Sequence, residues 1–467
     1  MLWVPIDRNR EIPFIRQVYL QIRNQILKGH LVGGQRLPST RQLATELQVS
    51  RNVIMEAYEQ LLAEGFIETR QGAGTYVAKG AFLEEDRGDV QRTNILLRST
   101  HSQKVIDFRS GIPDLGYFPR VIWAKLAADI YRSSTDSMLS YGEPEGRYEL
   151  RQAISKYLGR TRGVHCHPEQ IVVTSGATQA LTMITKLLLS KGDTVLIEDP
   201  ITDDIQTIFT QTGANLHPIT VDRYGMNTDA LSSGLNPKFV FVTPSHQFPL
   251  GSTLPIQRRI QLIQFARENG CYLVEDDYDS EFRYAGLPVS SLQGLAPELV
   301  IYVGSFSKIL SPGLRLGYVI LPSHLIEQGR QVKWFSDLHT PSVEQVVLAR
   351  FIEAGYLERH ILKMKKIYKK RRDFLIQLLT QYFSDQINIL GDSTGLHIIV
   401  EFKELMFTSE FFNKMVNNGV RVYPVERHAI VKGKHKNKVI VGYGHLGEDE
   451  LQEGIAKLSR FIQQVRC

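Results

Sequence analysis

Lys308 follows the apolar run Val300 to Val303 in the order Ser305, Phe306, Ser307, Lys308, with Pro312, Gly313, Leu314 and Arg315 next. A lysine amine just past a buried strand can form a Schiff base with an aldehyde cofactor, while hydroxyls and an arginine beside it bind a phosphate. The alternative for a lone lysine is a solvated loop position. Upstream, the run Tyr272 to Val274 leads into Glu275, Asp276, Asp277 and Tyr278. Sheets of alternating strands and helices bind ligands at the carboxyl ends of their strands, and a carboxylate there can hold a pyridinium proton. The alternative is a helix N-cap or a solvated turn. Ser175, Gly176, Ala177 and Thr178 lie between the run Ile171 to Thr174 and a helix predicted from about Gln179. A small-residue turn opening a helix presents backbone N–H groups to a phosphate.

A second group of residues suits nucleic acid. Arg41, Ser50, Arg51 and Asn52 converge on the junction of two predicted helices. Arginine reads guanine or clamps phosphate, asparagine reads adenine, and Ser39, Ser50 and helix-start amides suit phosphate oxygens. Arg70 and Thr75 extend this set from a predicted hairpin. The alternative is a small helical subdomain with solvated arginines.

The elements that must hold these residues are legible from periodicity. Ile15, Val18, Tyr19, Ile22 and Ile26 recur every three or four residues and predict a helix over Phe14 to Lys28. Ser39 is placed to cap a short second helix, with Gln42 completing a capping box and Leu43, Ala44 and Leu47 facing inward. Ser50 is placed to cap a third helix, whose predicted buried stripe is Val53, Ala57, Tyr58, Leu61 and Leu62. Phe66 to Val77 alternates around Gln71, Gly72, Ala73 and Gly74, as a two-stranded wing would. Residues 79–104 are polar and charged and predict a linker between a head at 1–78 and a larger part at 105–467. Beyond Val105, short apolar runs alternate with helical patterns, predicting α/β architecture with a largely parallel sheet. From about Tyr368, a helix mixed with strands Leu396 to Phe402 and Val439 to Tyr443 predicts a smaller α+β lobe.

The composition excludes several classes. With 43% hydrophobic and 22% charged residues, the chain of 467 residues is neither fibrous nor disordered. It has no run of about 18 apolar residues and no secretory h-region at its start, so neither membrane insertion nor secretion is expected. Cys166, Cys271 and Cys467 suit neither a disulfide framework nor a zinc site, so no metal is expected and a reducing cytoplasm fits best. Net charge is +6, and residues 1–80 carry ten Lys and Arg against seven Asp and Glu, half of that excess. Arg359, Lys363, Lys365, Lys366, Lys369, Lys370, Arg371 and Arg372 fall on one predicted helix, read either as a solvated face or as a track for bent DNA.

Gly34, Leu37, Pro38, Ser39, Arg41, Leu43, Ala44, Val49, Ser50, Arg51, Leu61, Glu64, Gly65, Gly72, Gly74, Thr75 and Val77 together resemble the GntR family of winged helix-turn-helix regulators, over residues 14–78. The resemblance implies operator DNA as partner and Pro38, Ser39, Arg41, Ser50, Arg51, Asn52, Arg70 and Gly74 as contacts. Residues 105–467 resemble fold-type I aminotransferases through Gly111, Pro113, Tyr141, Gly146, the Thr243 to Gly251 stretch and the Glu275 to Phe282 stretch. The fusion resembles the MocR subfamily, which includes a GABA-responsive regulator. The implied fold is a mainly α head with a β wing, joined to an α/β pyridoxal-phosphate-dependent transferase-like domain with its smaller α+β lobe.

That resemblance also implies roles. Lys308 would be the Schiff-base lysine, Asp276 the pyridine-nitrogen partner and Tyr278 the donor to the cofactor phenolate. Ser175, Gly176, Ala177, Thr178, Ser305, Ser307 and Arg315 would surround the phosphate of pyridoxal 5'-phosphate. Tyr141 would reach the phosphate across a homodimer interface, and Arg427 would receive an effector carboxylate. Thr202 stands where the GABA-responsive regulator stacks an aromatic ring, and Asp204 where it has a second arginine. The effector expected is therefore the cofactor itself or a small amine or amino acid anchored at Arg427, with GABA a poor ligand. Two other functions compete with that of a sensor: an aminotransferase with an accessory DNA-binding head, and an architectural DNA-binding protein with a dead enzyme fold.

Overall fold

The computed structural model describes residues 4–8, 11–82, 105–232 and 234–466. The chain divides into two compact units, Met1–Thr100 and His101–Cys467. Of the linker expected over 79–104, residues 83–104 lie outside the described residues.

In the first unit, helices Phe14–Leu27, Thr40–Leu47 and Arg51–Ala63 precede the hairpin Ile67–Arg70 and Gly74–Val77. The Ser39 hydroxyl accepts the Gln42 amide at 3.2 Å and the Ser50 hydroxyl accepts the Val53 amide at 3.5 Å, so both expected caps form. The reciprocal half of the capping box is absent. The exposed Gln42 side chain turns one helical turn forward and donates to Glu46 at 3.0 Å. The third helix is also rotated from the expected stripe. Ile54, Ala57, Tyr58 and Leu61 are buried, while Val53 is half-buried and Leu62 is 41% exposed. The Tyr58 hydroxyl donates to the Pro38 carbonyl at 3.0 Å, which pins the rotation and turns Leu62 outward. In the wing, Ile67 faces Val77 and Arg70 faces Gly74, and the buried Ile67 and Val77 tie it to the helices.

The second unit is built on an eight-stranded sheet in the order Ile171–Thr174, Gly317–Ile320, Val300–Ser305, Tyr272–Asp277, Phe239–Val242, Thr194–Asp199, Asn215–Asp222, Gly225–Met226. Gly317–Ile320 runs antiparallel to both its neighbours and Gly225–Met226 antiparallel to Asn215–Asp222; the other pairings are parallel. The central runs are apolar along both faces because helices such as Ala177–Leu188 and Ile256–Asn269 cover the sheet. Their polar residues gather at the carboxyl ends: Asp199, then Glu275 to Asp277, then Ser305. That is the edge at which a parallel sheet opens its ligand crevice.

The smaller lobe carries an antiparallel sheet, Ile387–Leu390, His397–Phe402, Lys438–Gly442 and Tyr423–Pro424, backed by helices Tyr356–Phe383 and Glu448–Arg466. The long helix begins at Tyr356, but Leu357 and Ile361 pack in the core of the large sheet and the lobe's own core takes the helix from Met364 on, close to the expected start near Tyr368. The lobe also takes in the start of this unit: Ile106–Asp107 pairs with Val420–Arg421, and Phe108 is fully buried in the lobe's core. A two-residue strand has no periodicity to read.

The basic helix is partly committed within the chain. Arg371 binds Asp114 and the Gly444 carbonyl, each at 2.6 Å, and Arg372 binds the Asp392 carbonyl at 2.7 Å and lies over the Tyr284 ring. Lys370 pairs with Glu448 at 2.7 Å. Arg371 and Arg372 are thereby removed from the proposed DNA track.

Candidate functional site

A cleft of about 430 Å³ opens at the carboxyl ends of the sheet, walled by the smaller lobe. Lys308, Asp276, Tyr278, Ala177, Thr178 and Arg427 all line it, as do Thr202 and Asp204. Lys308 stands just past the strand Val300–Ser305. Gly111, also in the wall, lets its amine in, for a Cβ there would stand 2.8 Å from Nζ. Burial, reinforced by Arg109, lowers the Lys308 pKa against the opposing charges of Asp279 and Asp276. A depressed lysine pKa supplies more of the neutral amine, the form that attacks a carbonyl carbon.

Asp276 sits one residue before the end of its strand, opposite Val303 of the next. Its carboxyl is pushed up to about 7 by burial, with Asp277 and Asp279 adding to the shift and Lys308 opposing it. Its Oδ1 is buried with no hydrogen-bond partner, an arrangement that invites a cation or a donor. The Tyr278 hydroxyl lies 2.9 Å from the His246 carbonyl and 3.1 Å from His246 Nδ1, and that imidazole is in turn held by Asp279 at 2.9 Å.

The helix Ala177–Leu188 opens on Gly176, at φ +96°, with no side chain capping its first amides. A Cβ on Gly176 would meet the Arg315 guanidinium at 2.9 Å, and Arg315 itself bonds the Ser175 carbonyl. The Ser307 amide donates to the Ser305 hydroxyl at 3.1 Å. Uncapped amides and a guanidinium against glycine make a cradle for an oxyanion. Ser175, Gly176, Ser305, Ser307 and Arg315 adjoin the cleft rather than line it. Tyr141 is 78% exposed, packs edge-on to His339 and does not line the cleft of its own chain.

Sequence reasoning missed several residues of the cleft, among them Arg109, Asp203, His397 and His428. Arg427 does not offer a bare guanidinium, because its Nε donates to Asp203 at 2.7 Å. Burial drives His397 down to about 3, aided by the neighbouring His246, so it is a neutral ring, and its Nε2 lies 2.9 Å from the Pro249 carbonyl. Arg109 had a signal in its neighbour Gly111. The histidines sit on small-lobe elements whose approach to the sheet has no local signature.

On the first unit, Ser39, Arg41, Ser50, Arg51 and Asn52 are exposed around the junction of the second and third helices. Pro38 is half-buried beneath them. Arg51 Nε reaches Thr40 at 3.5 Å, which leaves the rest of its fork outward. Arg70, also exposed, is paired with Glu68 at 2.8 Å and lies over the Tyr76 ring. Gly74, at φ +110°, makes room for the guanidinium of Arg36, an exposed cation beside the wing that sequence reasoning passed over.

The model of the class I and II aminotransferases matches residues 103–439, and that of the bacterial regulatory proteins of the gntR family matches residues 14–77. The chain is 34% identical to the HTH-type transcriptional regulator YdeL of Bacillus subtilis, over 97% of both chains. It is 33% identical to the probable rhizopine catabolism regulatory protein MocR of Rhizobium meliloti, over 97% of this chain and 94% of that one. The chain belongs to the gntR-type transcription regulators that carry a class I and II aminotransferase domain. Among solved structures, the second unit is similar to a Pyrococcus horikoshii kynurenine aminotransferase in complex with PMP, at 30% identity and a TM-score of 0.72, covering 78% of this chain and 92% of that one. This chain therefore carries an aminotransferase domain and a helix-turn-helix in one polypeptide.

Proposed function

We propose that the head binds operator DNA and that the second unit holds pyridoxal 5'-phosphate and reports on that cofactor, on a small amine or amino acid, or on both. The observation that carries this reading is the donor set of the cleft in a chain that also has a DNA-reading head. Three features fit the cofactor: a half-buried amine at Lys308 with a lowered pKa, an unpartnered buried oxygen on Asp276 and the cradle formed by Gly176 and Arg315. When bound, the cofactor supplies an aldehyde for covalent capture of amines and a ring that withdraws electrons.

The residues divide the work. Lys308 would supply the amine that holds the cofactor's aldehyde end, Asp276 would hold the proton on its pyridine nitrogen, and Tyr278 would donate to its phenolate. Ser175, Gly176, Ala177, Thr178, Ser305, Ser307 and Arg315 receive the phosphate. Thr202 contributes no ring to stack, a loss of about 1 kcal/mol that the remaining contacts offset. The effector meets Arg427 together with Asp203 and Asp204.

The active form is a homodimer in the cytoplasm. Tyr141 supports the dimer, as do Val121, Leu139 and Phe335, which are 84%, 66% and 85% exposed in a single copy. In the dimer Tyr141 would be the residue that holds the phosphate of the second copy's cofactor, and paired heads read paired half-sites. Among the described residues no helix is long and apolar enough to cross a membrane.

The head in the same chain favours a sensor over an enzyme with an accessory domain. Absorbance of the purified protein with and without borohydride, run beside multiple-turnover assays with amino donors and keto acids, tests this. A reducible adduct with little or no turnover is expected. Sustained turnover would favour the aminotransferase, and no adduct the architectural protein.

A further inference from the structure

Arg427 and Asp203 meet at the cleft wall, Nε to Oδ2 at 2.7 Å, and His428 Nδ1 stands 3.3 Å from the other carboxylate oxygen. The two segments that carry them are bound together. Asp199 accepts the amides of Ile430 at 2.7 Å and Val431 at 3.1 Å, and the Ile201 amide donates to the His428 carbonyl at 3.0 Å. The Gln206 side chain donates to the carbonyls of Ile201 at 2.7 Å and His428 at 2.9 Å. The pair is thus built by the fold, although Arg427 is 61% exposed. Burial raises the Asp203 pKa, but the hydrogen bond from Arg427 and the charges of His428 and Arg427 outweigh it, so the carboxyl stays ionised. Asp204 adds a second carboxylate to the same wall.

A guanidinium in a cleft is a receptor for a ligand carboxylate because its N–H groups fork onto two oxygens. Here a carboxylate of the chain already takes one side of the guanidinium, through Nε. A ligand carboxylate on the remaining nitrogens must sit beside two anions, one of which already neutralises the guanidinium, whereas an uncharged or cationic tail meets no such repulsion.

We propose that Asp203 is a specificity-determining residue: as the resident carboxylate on Arg427, it makes the cleft select primary amines that carry no carboxylate over those whose tail is a carboxylate. This rests on the reading of the cleft as an amine-sensing cofactor site. The amine end still reaches Lys308 and the cofactor, so selection acts on the tail alone.

The test uses full-length protein loaded with pyridoxal phosphate and three amines of equal carbon length: 1-butylamine, 1,4-diaminobutane and 4-aminobutyrate. Half-saturation is read from cofactor absorbance. Wild type is expected to respond to the first two at concentrations at least about tenfold below that for 4-aminobutyrate. Asp203→Asn should shift 4-aminobutyrate at least about tenfold toward tighter binding, and adding Arg427→Gln should cancel that gain. Asp203→Ser, which keeps a helix-start residue, serves if the asparagine variant does not fold. An unchanged preference in a folded variant overturns the proposal while leaving the sensor reading standing. Absorbance unmoved by all three amines in wild type overturns this proposal and the amine-sensing part of that reading, leaving the cofactor alone as the signal.

Discussion

A Cβ placed on Gly111 would stand 2.8 Å from Nζ of Lys308, on a backbone at φ +69° that other residues seldom adopt. The glycine and the lysine therefore form one unit, and the first cannot change without moving the second. Gly111→Ala should weaken cofactor binding at least about tenfold because the added methyl pushes Nζ out of place, while the strained backbone costs the fold roughly 1–2 kcal/mol. An absorbance titration with pyridoxal phosphate checks it, and unaltered affinity would contradict it.

Lys308→Ala should abolish the borohydride-reducible attachment of the cofactor. The amine is in a cleft wall rather than in a packed core, so the fold should persist. Reduction followed by mass measurement and a thermal melt give the two readouts. A covalent adduct surviving in the variant would place the bond on another lysine.

Asp276 gives a pH dependence with a definite sign. Its carboxyl pKa is raised from 3.8 to about 7 in the folded protein. The folded state thus binds the proton more tightly than the unfolded chain does, and this group's contribution to stability is full below about 4 and is lost as pH rises through about 7. Cofactor-free Asp276→Asn should therefore gain thermal stability relative to wild type on going from pH 5 to pH 8. Parallel melting curves for the two proteins across that range would refute the shift.

The exposed arginines of the head should not be equivalent. Arg51 keeps most of its fork outward, so Arg51→Ala should cost about 1–3 kcal/mol of operator binding. Arg70 is occupied by Glu68 and Tyr76. Arg70→Ala should cost less, and Glu68→Gln should tighten binding by releasing it. Fluorescence anisotropy at several salt concentrations separates these, and equal losses for Arg51→Ala and Arg70→Ala would contradict the pairing.

Much of this was legible in the chain because local chemistry announced it. Ser39 and Ser50 precede periodic helices and cap them as read, and apolar runs ending in Asp276 or Ser305 became strands with their polar ends at the cleft. What escaped was set by contacts distant in sequence. Tyr58 bonds Pro38, twenty residues away, and the face it shares buries Ile54 where Val53 was expected. Asp203 and Arg427 are more than two hundred residues apart, so neither carries a sign of the other. Phe108 belongs to the core of a lobe whose other strands lie beyond residue 386.

The central claim is that the state of the cleft governs the head's hold on DNA. Its most direct test is footprinting of the DNA beside this protein's own gene with full-length wild type and Lys308→Ala, with and without pyridoxal phosphate and a panel of amines. The wild-type footprint should change in extent or affinity when cofactor and an effective amine are both present, and the Lys308→Ala footprint should not respond to the amine. A footprint identical in both proteins under every condition would contradict the claim.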